Sequence, residues 1–427
     1  MACIVKKSQI SDIQINKIYR MLALSPIVNK KYTKYKPKPI LFYIEQDELF
    51  YLPYLFTSSL LQFNPNDNII YPTVNFEFTG KLYDKQIEVE EESWNQLQMY
   101  GTTTLGLYPG YGKTVLGVKL ASRLKLITIV LVHREVLMIQ WKNSFEKFSN
   151  AKVWIVNGKD IPSEYNVIIC LDTRWKLLPS EVCNSIGFLI IDEAHAFCTP
   201  KHLTCLLSFQ TKFILIETAT LERDDGMHSI IYAIAGSHGV FRDSNKPFNV
   251  IKVSTNIRPI RKYNSKGYVS WSELIKSLLF NEERNELIIK LINSNLENKI
   301  LVLTNLVEHV KLLHDKINKL GISCDYMCSN KKNYYDCKIL IGTYSKIGTG
   351  FDQETLCSNY LGERFNLLII ASSIKKYSML IQNIGRVFRS DNPTIIFLVD
   401  NDKILKSHWY KVKNWFVNHG AKIIKFQ

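Results

Sequence analysis

The stretch Leu105-Gly106-Leu107-Tyr108-Pro109-Gly110-Tyr111-Gly112-Lys113-Thr114 decides how the rest of the chain is interpreted. It begins as a short apolar strand, turns, and opens into an amphipathic run that predicts a helix. Glycines let several backbone N–H groups point at one anion, and the helix N-terminus adds its positive dipole end. The stretch therefore predicts a phosphate-binding loop at Pro109, Gly110, Tyr111 and Gly112. Lys113 would reach the β- and γ-phosphates of a nucleotide, and the Thr114 hydroxyl would hold Mg²⁺.

One position departs from the usual phosphate-loop pattern, because Leu107 stands where the first glycine is expected. A Gly-Lys-Thr triplet also occurs by chance, so the loop needs support from elsewhere. That support is the apolar run Phe188–Ile191, which ends in the adjacent carboxylates Asp192 and Glu193. Charge at the end of a buried strand is costly unless a cation meets it. With a phosphate loop upstream, Asp192 would hold Mg²⁺ and Glu193 would accept the proton of the attacking water.

Length and composition set the broad class. The chain has 427 residues, of which 46% are apolar, and this suits two or three domains with real cores. No apolar run is long enough to cross a bilayer, and the N-terminus lacks the apolar core of a signal peptide, so we expect an intracellular protein without membrane contact. Nine scattered cysteines fit a reducing compartment. Buried thiols are favoured over a metal site at Cys324, Cys328 and Cys337.

Charge is distributed unevenly along the chain. The net charge is +15, and residues 246–427 carry 28 basic and 15 acidic side chains, whereas residues 1–92 and 93–245 contribute only 0 and +2. This excess favours a polyanionic partner for the last part of the chain. A lysine-rich surface that only maintains solubility is the alternative.

The pattern of apolar runs and turns along the sequence predicts three parts. Residues 1–92 read as a small accessory domain, mixed or mostly β, with runs at 40–43, 49–56 and 69–78. It contains the lysine–tyrosine segment 30–39, which could follow a phosphate backbone or be a solvated loop, and the acidic run 88–92 marks its boundary. Residues 93–245 and 246–427 each alternate short apolar strands with helices, which predicts two doubly wound parallel α/β layers. The tail after Asp400, with Trp409, Tyr410 and Trp415, predicts an amphipathic packing helix.

The predicted strands come in two groups, separated by a connector at about 240–270 that includes an early strand of the second layer. In the first layer they are 105–108, 127–132, 153–156, 167–172, 188–192 and 213–218. In the second layer they are 300–304, 324–327, 339–343, 367–371 and 395–399.

Taken together, Pro-Gly-Tyr-Gly-Lys-Thr at 109–114 and Asp-Glu-Ala-His at 192–195 resemble the DEAH-box group of superfamily 2 helicases and translocases. The resemblance covers roughly residues 93–400. It implies two RecA-like domains, ATP and Mg²⁺ between them, and nucleic acid as the partner. It also implies that His195, Thr218 and Thr220 couple hydrolysis to domain movement, and that Arg134 contacts the nucleic-acid backbone.

The resemblance extends to motifs in the second layer. Gln382-Asn-Ile-Gly-Arg-Val-Phe-Arg389 is an intact Q-x-x-G-R-x-x-R, which implies that Gln382, Arg386 and Arg389 act on the triphosphate. Residues 341–352 match the preceding motif, which implies nucleotide contact by Gly350 and Asp352 and backbone contact by Thr343. For Thr343, a hydroxyl that caps the next helix is the alternative.

Within superfamily 2 the chain looks most similar to the transcription-type ATPases of large DNA viruses, of the poxvirus and African swine fever type. The segment 218–227 and the compact end after the last motif carry this likeness. It implies DNA before RNA as substrate, the transcription machinery as a possible partner, and a cytoplasmic replication or transcription site, or the virion, as location. Departures are His133 and Leu221, where relatives commonly have proline, and the adenine-reading glutamine, for which Gln96 and Gln98 are the candidates.

The leading hypothesis is thus an ATP-driven helicase or translocase. Two alternatives remain open at this point: a motor that moves along duplex without separating strands, and a nucleic-acid-binding scaffold with weak ATPase activity. Oligomeric state and polarity do not follow from the residues.

Overall fold

The computed structural model describes residues 2–27, 37–218, 223, 225–244, 246–265, 267–348 and 350–426. They form two compact units, of which one contains residues 1–107 and 111–242 and the other residues 243–427 together with 108–110. Among the described residues no helix has the length and apolar character that a membrane crossing requires. Most of the lysine–tyrosine segment, residues 30–36, lies outside the described residues.

The first unit starts with a small antiparallel sheet. Its N-terminal elements are β1 Ala2–Lys6, α1 Asp12–Met21, β2 Ala23–Leu24, β3 Ile40–Leu41, β4 Ile44–Gln46, β5 Leu49–Pro53 and α2 Tyr54–Leu61. Strands β1, β5 and β4 form one sheet in that order, and β2 pairs with β3. The mixed character predicted for this segment is confirmed. However, the run 69–78 contains no strand, because it lies along the first layer: Val74 N–H donates to Lys125 O, and the Phe76 ring meets Phe145.

The first α/β layer follows. Its elements are α3 Asp84–Tyr100, β6 Thr102–Leu107, α4 Lys113–Leu124, β7 Thr128–Val132, α5 Glu135–Phe148, β8 Val153–Ile155, β9 Val167–Leu171, α6 Ser180–Ser185, β10 Phe188–Asp192, α7 Leu203–Leu206, β11 Phe213–Glu217, α8 Ser229–Ala235 and β12 Val240–Arg242. The seven strands are all parallel, in the order β12-β6-β11-β10-β7-β9-β8. Fully buried runs such as those of β7 and β10 explain why the sequence shows continuous apolar stretches here.

The acidic run at 88–92 lies inside α3 and is not a linker. Arg123 of α4 forms ion pairs with Glu90 at 3.1 Å and with Glu91 at 2.9 Å, and its guanidinium lies 4.0 Å from the centre of the Trp94 ring. These contacts offset part of the negative charge of the run and fasten α3 to α4. Apolar side chains of residues 2–60 also belong to the same buried cluster as one face of the first sheet. An accessory domain at 1–92 that folds independently stays a prediction.

The second unit contains another parallel layer. Its elements are β13 Phe248–Ser254, α9 Trp271–Leu279, α10 Glu282–Asn293, β14 Ile300–Thr304, α11 Val307–Asn318, β15 Cys324–Met327, β16 Ile339–Thr343, α12 Tyr344–Gly348, α13 Gln353–Leu356, β17 Leu367–Ile370, α14 Tyr377–Ile384, β18 Thr394–Val399, α15 Lys403–Asn418 and β19 Ala421–Lys425. The order is β15-β16-β14-β17-β18-β13-β19, and every pairing is parallel. The predicted architecture of two parallel α/β layers is confirmed, and α15 is the predicted packing helix.

Candidate active site

The phosphate loop connects β6 to α4. Gly110 and Gly112 have φ values of 87° and 103°, in the left-handed region that side chains rarely adopt. The first helical residue is Lys113, whose Nζ donates a hydrogen bond of 2.9 Å to Leu107 O. Leu107 is thus the last residue of the strand. The turn needs its glycines only farther along, and this accounts for the leucine at the first position of the pattern.

A glutamine outside the sequence motifs contacts this loop. Gln86 Nε2 donates to Tyr111 O at 2.8 Å, while its Oε1 accepts the Tyr83 N–H at 2.9 Å. Gln96 instead bonds Gly239 O and the Thr103 hydroxyl, and Gln98 is exposed on α3. Nearly a full helix separates Gln86 from β6, since α3 has 17 residues. The signal that could have identified Gln86 is an amide in the first turn of the helix before β6.

The carboxylate pair lies at the end of β10. Asp192 is buried, and its Oδ2 accepts a hydrogen bond of 2.9 Å from Trp141 Nε1. Burial and the charge of Glu193 raise the pKa of Asp192 to about 6, against the opposing effects of Trp141 and Lys113. Glu193 has a φ of 52°, which is unusual for a side chain other than glycine and is typical of functional sites.

Sheet order brings the loop and the carboxylates to the same edge. Strand β11 separates β6 from β10, and all three are parallel, so their carboxyl ends lie together about 10 Å apart across the two steps. Hard oxygen donors, here the Thr114 hydroxyl and the Asp192 carboxylate, are the ligands that Mg²⁺ prefers. Burial first, and then the Glu193 charge, raise the pKa of Asp192, and a divalent cation would stabilise its charged form. The residues present therefore fit Mg²⁺.

A third carboxylate, Glu217, was not predicted. It ends β11 in register with Asp192, is completely buried, and neither carboxylate oxygen has a hydrogen-bond partner among the described residues. Helix α4 passes close above it, because a Cβ added at Gly117 would lie 2.9 Å from Glu217 Oε1. Burial first, and then the charge of Asp192, raise the pKa of Glu217 well above its ordinary value. Glu217 is therefore expected to keep its proton to a higher pH than an exposed glutamate does.

We expect Glu217→Gln to stabilise the first unit increasingly as the pH rises from 5 to 8. The folded chain keeps a proton on Glu217 that the unfolded chain releases near the ordinary pKa, so the free energy of unfolding of the wild type falls with rising pH. Glutamine does not ionise, so the free energy of unfolding of the variant should not fall in this way. At pH 8 the variant should therefore be more stable than the wild type by about 1–3 kcal/mol. Urea unfolding with EDTA and without nucleotide measures it.

Glu146→Gln is the matched control, since Glu146 is exposed on α5 and pairs with Lys142 at 3.4 Å. It should show no such pH-dependent difference. A difference between Glu217→Gln and the wild type that stays constant over this pH range would mean that Glu217 is ionised throughout.

His195 links the carboxylate strand to the segment after β11. Its Nδ1 lies 3.2 Å from Thr218 Oγ1 and 3.3 Å from Glu193 Oε2, and its carbonyl accepts a hydrogen bond from Arg223. Burial and the nearby Arg223 charge lower the pKa of His195 to about 4, so the ring is neutral at pH 7. The predicted coupling residues His195 and Thr218 are therefore in contact, whereas Thr220 lies outside the described residues, as does Leu221.

Arg134 lies at the carboxyl end of β7, beside a cleft of about 280 Å³ that also includes His133, Asp172, Lys201 and His202. Burial lowers the pKa of Arg134, and the charge of Glu193 opposes this effect. The cleft contains its own pair, since His202 Nδ1 lies 2.7 Å from Asp172 Oδ2. Burial, reinforced by the Arg134 charge, lowers the pKa of His133 to about 4.

In the second unit both motif arginines have partners. Arg386 donates to Phe351 O at 2.6 Å and also to Gly348 O, and Arg389 Nη1 lies 2.5 Å from Asp352 Oδ2. Burial raises the pKa of Asp352, but the Arg389 guanidinium outweighs it and holds the pKa below its ordinary value. These contacts join the two motifs that the sequence placed about 30 residues apart.

The other predicted site residues of the second unit are Gly350, Gln382 and Thr343. Gly350 has a φ of 74°, and Gln382 is buried on α14 beside Gly348. Thr343 is the last residue of β16, is buried, and places its hydroxyl 3.4 Å from Ser345 Oγ.

Two parallel α/β layers, a phosphate loop, a carboxylate pair at the same sheet edge and a two-arginine motif define a nucleic-acid-dependent ATPase of the helicase type. Residues 79–223 match the family model described as type III restriction enzyme, res subunit. The putative helicase 161L of Invertebrate iridescent virus 6 is 30% identical over 388 residues, which cover 84% of this chain and 85% of the relative. The chain belongs to the superfamily 2 helicases of large DNA viruses.

Other comparisons agree. The putative ATP-dependent RNA helicase L396 of Acanthamoeba polyphaga mimivirus is 25% identical over 460 residues, covering 99% of this chain and 85% of the relative. Among solved structures, S. cerevisiae Dbp5 bound to RNA and ADP BeF3 aligns with a TM-score of 0.56 and 11% identity, covering 79% of this chain and 89% of Dbp5. This likeness shows the fold.

Proposed function

We propose that the chain uses ATP hydrolysis to move along DNA, free or within a transcription complex, and separates its strands. The observation that supports the proposal most is the meeting of Lys113, Asp192 and Glu193 at one edge of the first sheet. Two features favour a polynucleotide partner: the family of the chain, and the +13 charge of residues 246–427. DNA is preferred because the relatives belong to large DNA viruses.

In the proposed reaction each side chain has one task. The loop N–H groups of residues 109–112 and the Lys113 ammonium bind the triphosphate, and Glu193 accepts the proton of the attacking water. Thr114 and Asp192 would hold Mg²⁺, which when bound supplies positive charge to the phosphate oxygens. Trp141 fixes one oxygen of Asp192 through its hydrogen bond, so the other oxygen keeps a defined direction.

Residues of the second unit have proposed roles in the same reaction. Arg386 and Arg389 would neutralise the negative charge that develops on the γ-phosphate, and Gln382, Gly350 and Asp352 would support them. The neutral His195 ring touches both Glu193 and Thr218, which supports a role in passing the nucleotide state to the segment after β11. Arg134 and Thr343 would bind backbone phosphates and so read position rather than sequence.

Strand displacement tests the substrate. We expect ATP-dependent displacement of a labelled strand from tailed DNA duplexes, with less from blunt DNA and from tailed RNA duplexes of matched length. A third strand bound to blunt DNA provides a separate measure of translocation, because it is displaced without duplex separation.

The outcomes separate the alternatives. Displacement from RNA alone would show that the DNA assignment is wrong. Removal of the third strand without duplex separation would identify a duplex translocase. Absence of both, in a preparation that hydrolyses ATP, would contradict the motor proposal.

A further inference from the structure

The charged side chains of residues 403–427 are all positive. Residues 403–427 contain six lysines and no acidic side chain. They form α15 and β19, at one edge of the second sheet. None of the helicase motifs lies in this segment, so the positive charge has no role in the site described above.

The apolar face of α15 is already used for packing. Leu405, Trp409, Val412 and Phe416 are buried, and the last three belong to one core cluster with residues of β13 and β19. Lys406 and Lys413 are exposed, are seven residues apart, and lie together along one flank of this buried face.

Two strand lysines lie beside this helix. Lys252 of β13 and Lys425 of β19 are register partners on neighbouring parallel strands, which are about 4.8 Å apart. The Lys252 ammonium lies 5.7 Å from the centre of the Trp409 ring of α15. Burial, followed by the charges of Lys425, Lys406 and Lys413, lowers the pKa of Lys252, so these three lysines are close enough to repel the Lys252 ammonium.

Nearby acidic groups do not compensate this charge. Within the described part of the chain, none of the four lysines forms an ion pair with a carboxylate, and Lys406 bonds only the Asn401 side chain. The two carboxylates that precede α15 are occupied, because Asp400 pairs with Arg284 at 2.9 Å and Asp402 pairs with Arg261. Converging like charges of this kind favour an anionic partner.

The sheet order gives the distance between Lys252 and the proposed backbone contact at Thr343. Lys252 lies two residues before the carboxyl end of β13, and Thr343 ends β16 at the same edge of the sheet. Four strand steps separate β16 from β13, a distance of about 19 Å. One strand of a duplex advances about 3.4 Å per phosphate, so about six nucleotides span this distance.

We propose that Lys252, Lys406, Lys413 and Lys425, the tail lysine cluster, form a second contact for the phosphodiester backbone, beyond the contact at Thr343. The proposal rests on the proposed function, since it takes nucleic acid as the partner. The shared chemistry is the phosphate chain of either DNA or RNA.

Salt-dependent binding tests the proposal. The triple variant Lys406→Gln, Lys413→Gln, Lys425→Gln changes only exposed side chains, and its matched control is Lys311→Gln, Lys319→Gln, Lys332→Gln. The control lysines are also exposed and lie by α11 and after β15, at the other edge of the sheet. Fluorescence anisotropy is measured on the full chain with labelled 30-nucleotide dT, 30-nucleotide rU and a 30-base-pair DNA duplex, between 50 and 200 mM KCl.

We expect the tail triple variant to bind at least ~10-fold more weakly at 50 mM KCl. Its slope of log K against log salt should be smaller in magnitude by about 2 for single strands and about 2.7 for duplex, corresponding to three lost phosphate contacts. The control triple should keep at least most of the wild-type slope, and both variants should keep the wild-type ATPase rate measured without nucleic acid. The dT and rU arms show which sugar the cluster accepts.

Two results would overturn the proposal. If the tail triple variant binds with the wild-type slope, or if the control loses as much as the tail variant, the cluster is not a specific contact surface, while the motor function is unaffected. If the wild-type chain binds none of the three probes, the tail lysine cluster has no nucleic-acid partner and the proposed function fails with it.

Discussion

Glu193→Gln should lower the turnover number for ATP by about 10²–10⁴-fold while the chain still binds ATP with a near-normal dissociation constant. Glutamine keeps the shape of the side chain but cannot accept the proton of the attacking water. Lys113→Ala should differ, because the ammonium binds the triphosphate directly, so both binding and turnover should fall. Steady-state phosphate release and binding of a fluorescent ATP analogue separate the two effects.

The matched control for this prediction is Glu146→Gln, an exposed change in the same unit. It should leave both measurements unchanged. If Glu193→Gln and Lys113→Ala hydrolyse ATP at the wild-type rate, the assignment of the active site to this sheet edge is wrong.

Arg389→Ala should reduce ATP turnover by about 10³–10⁵-fold, the range typical of an arginine that neutralises charge on a transferring phosphoryl group. The folded second unit should persist, because the Arg389 side chain is partly exposed and its described ion pair is with Asp352. Phosphate release at saturating ATP and nucleic acid measures the loss, and circular dichroism checks the fold.

Asp352→Asn distinguishes this role from a structural one. That variant removes the same ion pair but retains the arginine, so its loss of turnover should be far smaller than that of Arg389→Ala. Equal losses in the two variants would mean that Arg389 acts by holding Asp352 in place.

Much of the fold could be predicted because strands covered on both faces leave an unmistakable pattern. Phe188–Asp192, Ile300–Thr304 and Ile339–Thr343 are continuous apolar runs between polar turns, and the structure has strands with those bounds. Edge strands give a weaker signal. Strands β12 and β19 were not predicted, since β19 places two lysines among five residues and contributes only one apolar face to the core.

Site residues that belong to a short sequence motif were predicted. Site residues that only the tertiary structure brings to the site were missed. Glu217 ends a buried strand in a carboxylate, and the reasoning that selected Asp192 applies equally to it; no motif drew attention to it. Gln86 was missed because the acidic run at 88–92 suggested a boundary where α3 actually continues. The pairing of Arg389 with Asp352 depends on tertiary contacts that spacing alone does not reveal.

ATP hydrolysis by the purified wild-type chain, measured with and without saturating nucleic acid, tests the central claim most directly. The roles proposed for Lys113, Asp192, Glu193 and the two arginines predict that DNA raises the turnover number at least several-fold and that Glu193→Gln abolishes the stimulated rate. An unchanged rate with single-stranded and duplex DNA and with RNA would contradict a nucleic-acid motor.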